Sequence, residues 1–339
     1  MASAPQSGGR ETTPIELPQR LVRRLSGTVK GTDGTVGPGG TGGPSGADAP
    51  GSTEAADWLA ALPGLVRRQL ESWELTLERV QTPGGRRSLL VLVTQSDGTP
   101  AALKFAAPDG RGGAGLEPAA LTHWDGWGAV RLLRADAESG ALLLERLHGE
   151  VPLRSLPEAK ALLEAAGTVR RLWVPPPADP HPFPTLAERT GETAEAILAL
   201  ADGPWAAEAR PLVDEALELR SALLADSPEL LLLHGDFRQG KVLSADRAPW
   251  LAIGPDPVVG ERAYDLARLV RDRVEDLAAA SGAAAAARRR VGKLADSLEV
   301  DRERLRGWTV FRAVETGVRE LAAGNRDSGE LLMEFAGWL

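Results

Sequence analysis

From residue 73 onward the prevailing hydrophobic period of this chain passes from strand-like to helix-like, and that change most restricts how it can fold. Residues 73–80 (WELTLERV) alternate as a half-buried strand does, 88–95 (SLLVLVTQ) form an apolar run, and 100–105 (PAALKF) form another. The turns between them, TPGGRR at 82–87 and SDGT at 96–99, carry the glycines that tight hairpins need. Three antiparallel strands in a meander are expected. A loop at 106–115, a short helix at 117–127 and two further strands at 129–136 and 140–147 follow. From Pro157 onward the apolar residues instead recur at three- and four-residue spacing, over 157–174, 185–201, 205–225, 261–295 and 301–323. One β-rich interruption lies at 231–253. Strands gathered first and helices gathered after give an α+β chain. It is expected to have a small β-rich lobe, a hinge near 145–150 and a larger helical lobe. A length of 339 residues accommodates two such bodies.

Ahead of this region, residues 1–53 are dominated by Gly, Ser, Thr, Pro and Ala, and 27–53 hold almost no large apolar side chain. Such a stretch buries too little surface to offset the entropy of ordering it. The expected layout is a disordered extension at 1–53, an N-lobe at 54–147 and a helical C-lobe at 148–339. A short docking motif at Ile15–Leu25 is the alternative for the extension. Order begins with a helix at 56–71, where Trp58, Leu59, Leu62, Leu65 and Leu70 share a face. No basic start followed by an apolar core opens the chain, so a cytoplasmic protein is expected. No apolar run approaches the ~18 residues of a membrane span.

The charge balance, 39 Lys and Arg against 47 Asp and Glu, is 39 − 47 = −8. A dedicated nucleic-acid binder carries the opposite balance. The absence of cysteine excludes disulfides, thiolate catalysis and Cys-ligated metal, and four histidines argue against a multi-His site.

The strongest local signal is LLLLHGDFRQGKVL (230–243), an apolar strand running into His234-Gly235-Asp236. It is followed by APWLAIGPDPVVGERAYDLARL at 248–269. With the strand lysine of AALKF, the EPAALTHWDGWGAVRLL block, ALLLERL and the late DRERLRGWTVFRAVE, this series resembles the aminoglycoside/hydroxyurea antibiotic phosphotransferases, which share the protein-kinase-like fold. The resemblance covers about residues 56–325. It implies ATP-dependent phosphoryl transfer to a hydroxyl of a small molecule, an antibiotic or secondary metabolite. Such chemistry asks the protein for positioning and charge neutralisation. By the match, Asp236 is the base at the acceptor hydroxyl and His234 holds the loop by hydrogen bonds. Lys104 is the phosphate anchor and Glu117 its partner. Glu145 and Leu147 offer backbone groups to an adenine edge by position. Gly84 and Gly85 either let backbone amides approach phosphates or form an ordinary hairpin turn. Asp265 is expected to tie its helix to the catalytic loop, and Trp124 and Trp127 to pack in the N-lobe core.

Two positions depart from the family pattern. Five residues after the catalytic Asp the family has a magnesium-binding Asn; here stands Lys241. Directly after the LAI strand the family has its main magnesium-binding Asp; here stands Gly254. Magnesium wants oxygen ligands, and neither residue offers a side-chain oxygen. Asp256, two residues on, is the candidate replacement ligand, and Lys241 the candidate for contacting phosphates directly. Two readings stay open: a phosphotransferase with a rearranged site, and a pseudokinase that holds a nucleotide, a metabolite or a protein partner without turnover.

Overall fold

The computed structural model describes residues 15–26, 50–85, 87–107, 115–200 and 206–339. The chain divides into two compact units. The first comprises residues up to Ala114 together with Leu133–Arg146, and the second comprises Gly115–Leu132 and Leu147–Leu339. One boundary falls between Arg146 and Leu147. The block 115–132, expected in the N-lobe, belongs instead to the helical unit. Its backbone explains why: Val130 N–H donates to Ala252 O (2.8 Å), and Ala252 N–H donates to Gly128 O (2.9 Å).

The first unit is built on a five-stranded antiparallel sheet of β1 (Thr76–Val80), β2 (Ser88–Thr94), β3 (Pro100–Ala106), β4 (Leu132–Asp136) and β5 (Ala141–Glu145), in the order β1-β2-β3-β5-β4. Lys104 sits mid-sheet, opposite Leu90 on one side and Leu142 on the other. Its neighbours Leu103 and Phe105 point to the opposite face and are buried, as strand alternation requires. That face, with Leu89, Val91, Val93 and Leu143, forms one core with Leu59, Leu62 and Val66 of the long helix α2 (Pro50–Ser72). The edge is closed by Arg146, whose guanidinium donates to Val93 O (2.9 Å) and Ala101 O (2.8 Å) and pairs with Glu78 (3.0 Å).

The N-terminal extension differs in part from its expected lack of structure. Residues 15–26 are ordered, with a short helix α1 (Gln19–Leu25), and Ile15 and Leu21 are buried in the first unit's core. The four apolar residues Ile15, Leu17, Leu21 and Leu25 supply a stripe that the flanking composition lacks. The remaining expectations for 1–53, outside 15–26 and the start of α2, lie outside the described residues, as does most of the loop expected at 106–115.

The second unit is mainly helical: α3 (Leu116–Trp124), α4 (Glu158–Leu172), α5 (Leu186–Leu200), α6 (Ala206–Ala225), α7 (Arg262–Val270), α8 (Val274–Ala278), α9 (Ala283–Leu298), α10 (Arg302–Ala322) and α11 (Arg326–Gly337). The segment of helical spacing over 261–295 is three helices, because Arg273 and Gly282 adopt left-handed conformations that a helix interior does not accept. α10 is the central element, burying Trp308, Phe311 and Val314. Glu261, just before α7, is buried and accepts from both sides of the Arg304 guanidinium (2.6 Å each) and from Trp308 Nε1 (2.7 Å). The β-rich interruption consists of short strands. β7 (Leu231–Leu233) pairs with β10 (Val258–Gly260), while β6 (His148–Pro152), β8 (Val242–Ser244) and β9 (Leu251–Ala252) form a second antiparallel ribbon. Among the described residues, no helix is long and apolar enough to cross a membrane.

Candidate active site

β7 ends at Leu233 and delivers the sequence His234-Gly235-Asp236 into the space between β9, β10 and α7. Gly235 has a φ of +74°, and a Cβ there would lie 1.8 Å from Asp256 O. Only glycine fits this approach. The loop is then fixed from α7. Asp265, fully buried, accepts from His234 N–H (2.9 Å), Gly235 N–H (2.7 Å) and Trp173 Nε1 (3.2 Å). Burial pushes the Asp265 carboxyl up to about 6, against those three hydrogen bonds. The expected tie between this helix and the loop is therefore present, atom by atom.

His234 plays a structural part. Its Nε2 bonds Ile253 O (3.1 Å) and its Nδ1 accepts from Asp236 N–H (3.3 Å). Those partners place the proton on Nε2 of a neutral ring. Burial, with the nearby Lys241 charge, pushes His234 down to about 3. The ring stacks on Trp124, with centroids 6.5 Å apart. Trp124 is buried and donates to Leu172 O (2.9 Å), so it packs in the second unit. Trp127, expected in a core, is 63% exposed. The left-handed glycines 126 and 128 on either side of it turn the chain there.

The Asp236 carboxylate, 18% exposed, is closed by cations on both oxygens. Lys241 Nζ pairs with Oδ2, and Arg268 Nη1 lies 2.7 Å from Oδ1. Burial favours the protonated acid, but the charges of Lys241, Arg268 and Arg238 outweigh it and hold the carboxyl well below the usual carboxylate range. Lys241 Nζ also donates to Gly254 O (2.6 Å). The closeness of 241 and 254 is dictated by the β8–β9 ribbon, in which Val242 pairs with Ala252 and Ile253 N–H donates to Lys241 O (2.9 Å). A Cβ at Gly254 would be 3.9 Å from Lys241 Nζ.

The two substituted positions thus face one another, and an ammonium stands between the Asp236 carboxylate and the Gly254 carbonyl. Magnesium does not fit these residues. Gly254 brings no side chain, Lys241 brings a positive charge, and the Asp256 carboxylate is drawn away to Arg189 on α5 (2.7 Å). Among the described residues, no group of three or more His, Cys, Asp or Glu is placed to hold a metal. The sequence offered Asp256 as a replacement ligand; the structure gives it to Arg189 instead, and Lys241, not Asp256, meets Asp236.

Arg268 and Arg238 were not singled out from the sequence. Arg268 follows Asp265 by three residues on α7, a spacing that puts both on one helix face. That spacing was a readable signal, since the loop already required Asp265 to point toward it. Arg312 on α10, fully enclosed, donates to Gly235 O (2.8 Å) and lies 4.2 Å from the centroid of the Tyr264 ring. The remaining residues named from the sequence are divided between the units. Gly84, Gly85, Lys104 and Glu145 lie in the first unit, and Glu117, Leu147, Asp236 and Lys241 in the second. Gly84 has a φ of +67° and packs against Pro18, which supports the turn reading of the pair.

The model of the aminoglycoside/hydroxyurea antibiotic resistance kinases matches residues 72–324. The streptomycin 6-kinase of Streptomyces glaucescens is 36% identical over 277 residues, covering 80% of this chain and 87% of that protein. The hydroxyurea phosphotransferase of Kitasatospora aureofaciens is 36% identical over 281 residues, covering 79% and 76%. A solved aminoglycoside phosphotransferase, in ternary complex with AMP-PNP and hygromycin B, superposes with a TM-score of 0.51 at 18% identity, over 80% of this chain and 96% of that one. The protein-kinase-like α+β fold expected from the motifs is thereby established, and the chain belongs to the aminoglycoside/hydroxyurea antibiotic resistance kinase family.

Proposed function

We propose that this chain is a pseudokinase of its family: it holds a nucleotide or a small hydroxylated metabolite and does not carry out magnesium-dependent phosphoryl transfer. One observation carries the reading. The carboxylate that would orient the acceptor hydroxyl is occupied by Lys241 and Arg268, and the same lysine bonds the carbonyl of Gly254. A carboxylate accepts a proton most usefully when its pKa lies near the working pH. Asp236 is held in the opposite direction. In the family, magnesium bound at the catalytic site neutralises phosphate charge; here, among the described residues, no group of three or more His, Cys, Asp or Glu is placed to hold it. The proposal includes ATP as the nucleotide, with Lys104 as a phosphate anchor. Glu117, Gly84, Gly85, Glu145 and Leu147 are further nucleotide contacts carried over from the resemblance. It also includes a protein partner as the output of a scaffold role, and a cytoplasmic place of action.

A second reading is an active phosphotransferase, moving the γ-phosphoryl group of ATP to a hydroxyl of an antibiotic-like metabolite with Asp236 as base. It is favoured by the intact His234-Gly235-Asp236 loop and by the identity to streptomycin 6-kinase along most of that enzyme's length. The two separate in one assay. Purified protein is incubated with ATP and Mg²⁺ over a panel of hydroxylated acceptors, streptomycin and hydroxyurea included, and ADP release is followed. The pseudokinase reading expects none above background. Turnover that Asp236→Asn abolishes would establish the enzyme reading instead.

A further inference from the structure

We infer that the Asp236 loop is a metal-independent anion site in which the Lys241 ammonium serves as a built-in counter-charge for phosphate groups, so that nucleotide binds better without Mg²⁺ than with it. The inference deepens the proposed function and rests on its claim that the loop faces a phosphorylated ligand. The observations are local to the second unit. Three cations, Lys241, Arg268 and Arg238, act on a single carboxylate, Asp236. Glu315 also acts on Arg268, so these three cations exceed the two acids set against them, Asp236 and Glu315, by one positive charge. The other acids bonded at the loop are committed: Asp265 to the backbone of His234 and Gly235, Asp272 to the Gln239 N–H, and Asp256 to Arg189. His234 is neutral and adds no charge. The buried Nε groups of Arg238 and Arg268 have no hydrogen-bond acceptor, and the buried Asp236 Oδ1, although 2.7 Å from Arg268 Nη1, makes no hydrogen bond of its own; buried donors of this kind ordinarily have a partner. Surplus charge and orphaned donors together call for an anion.

Lys241 also decides which form of the anion binds. Its ammonium is anchored at two points, Asp236 Oδ2 and Gly254 O. A divalent ion brought in with a nucleotide would meet that fixed positive charge. Uncomplexed nucleotide, carrying its full negative charge, meets that ammonium and the Arg268 and Arg238 guanidinium groups, with the Asp236 carboxylate as the opposing charge. Free ATP, ADP and inorganic triphosphate are the expected ligands, and Mg²⁺ is their competitor because it sequesters them.

Calorimetric titration of the full-length protein tests this with ATP, ADP and inorganic triphosphate, each in EDTA and in excess Mg²⁺. Wild type is expected to bind in EDTA and to weaken when Mg²⁺ is added. Lys241→Asn should lose about tenfold or more of its affinity in EDTA, the loss expected for a hydrogen bond to a charged group. Lys241→Arg should keep most of it. Lys241→Asn combined with Gly254→Asp should bind only with Mg²⁺. Denaturation of each variant alone separates lost binding from lost fold. If wild type binds only with Mg²⁺, or if Lys241→Asn binds in EDTA as wild type does, the inference fails. If no polyphosphate binds under either condition, it also fails, while the absence of turnover would still stand on its own assay. Turnover with Mg²⁺ would instead overturn the proposed function, whatever the EDTA titration gives.

Discussion

Replacing Asp265 by alanine removes the one acceptor that holds the functional loop to α7. The effect follows from its three bonds, from His234 N–H at 2.9 Å, Gly235 N–H at 2.7 Å and Trp173 Nε1 at 3.2 Å. His234 and Gly235 are buried, so their N–H groups find no water when the carboxylate is gone. Each orphaned buried donor costs about 1–3 kcal/mol, which puts the two backbone groups alone at about 2–6 kcal/mol. The whole stability of a domain is about 5–15 kcal/mol, so the variant is expected near the edge of folding. Asp265→Asn is milder, at about 1–3 kcal/mol, because an amide oxygen keeps some of the bonds and only one N–H is left facing a donor. Urea denaturation at neutral pH, followed by circular dichroism and by Trp fluorescence, gives both values. The expected order is wild type, then Asn, then Ala. If Asp265→Ala unfolds within about 0.5 kcal/mol of wild type, the range of an ordinary surface substitution, the loop is held by something other than this carboxylate.

Three further outcomes are expected. The His234 pKa falls from 6.5 to about 3 on folding, so the unfolded chain binds a proton that the folded one refuses. Stability from this residue is full above pH 6.5 and is lost as pH falls toward 3, by on the order of 5 kcal/mol. Asp265 opposes it, since its raised folded pKa gives stability that is full below about 3.8 and lost as pH rises through about 6. His234→Gln should therefore flatten the acid side of the stability profile; an unchanged profile would show that His234 does not govern it. Gly235→Ala, with its Cβ driven onto Asp256 O, should fail to accumulate as folded protein, and normal expression with a native melting curve would contradict the loop geometry. Leu21→Ala, emptying a fully buried site, should destabilise the first unit by about 2–5 kcal/mol; an unchanged thermal transition would show that the N-terminal segment does not belong to that core.

The architecture was legible because its signals are local and repeated. The meander at 76–106 announces itself by runs of β-branched and aliphatic residues broken by Gly-bearing turns, and the helical unit by its period. The break at Arg273 was not legible, because it adopts a left-handed conformation that nothing in its residue type marks. Residues 15–26 were hidden by their surroundings, a composition without core-forming power except for four apolar side chains. At the site, the loop, its structural aspartate and the two replaced ligand positions followed from the resemblance that the motif series carries. What sequence could not give is where charged side chains point. Asp256 stood as a candidate metal ligand and Lys241 as a candidate phosphate contact. The register of β8 with β9 gave Lys241 to Gly254, and Arg189 took Asp256.

That charge arrangement also limits what one substitution can undo. A divalent ion about 4 Å from a unit positive charge is repelled by about 8 kcal/mol at an effective dielectric of ~20, or about six decades of affinity. Supplying an acid is therefore not enough while the ammonium stays. Gly254→Asp alone places its Cβ 3.9 Å from Lys241 Nζ, so the new carboxylate pairs with the lysine. Gly254 has a φ of +59°, a left-handed conformation that aspartate adopts more readily than most residues. Gly254→Asp is expected to fold and to bind no Mg²⁺ with or without nucleotide, whereas adding Lys241→Asn opens the site. Calorimetric titration with Mg²⁺ reads the difference directly. If Gly254→Asp alone confers Mg²⁺ binding, the fixed positive charge is not what excludes the ion.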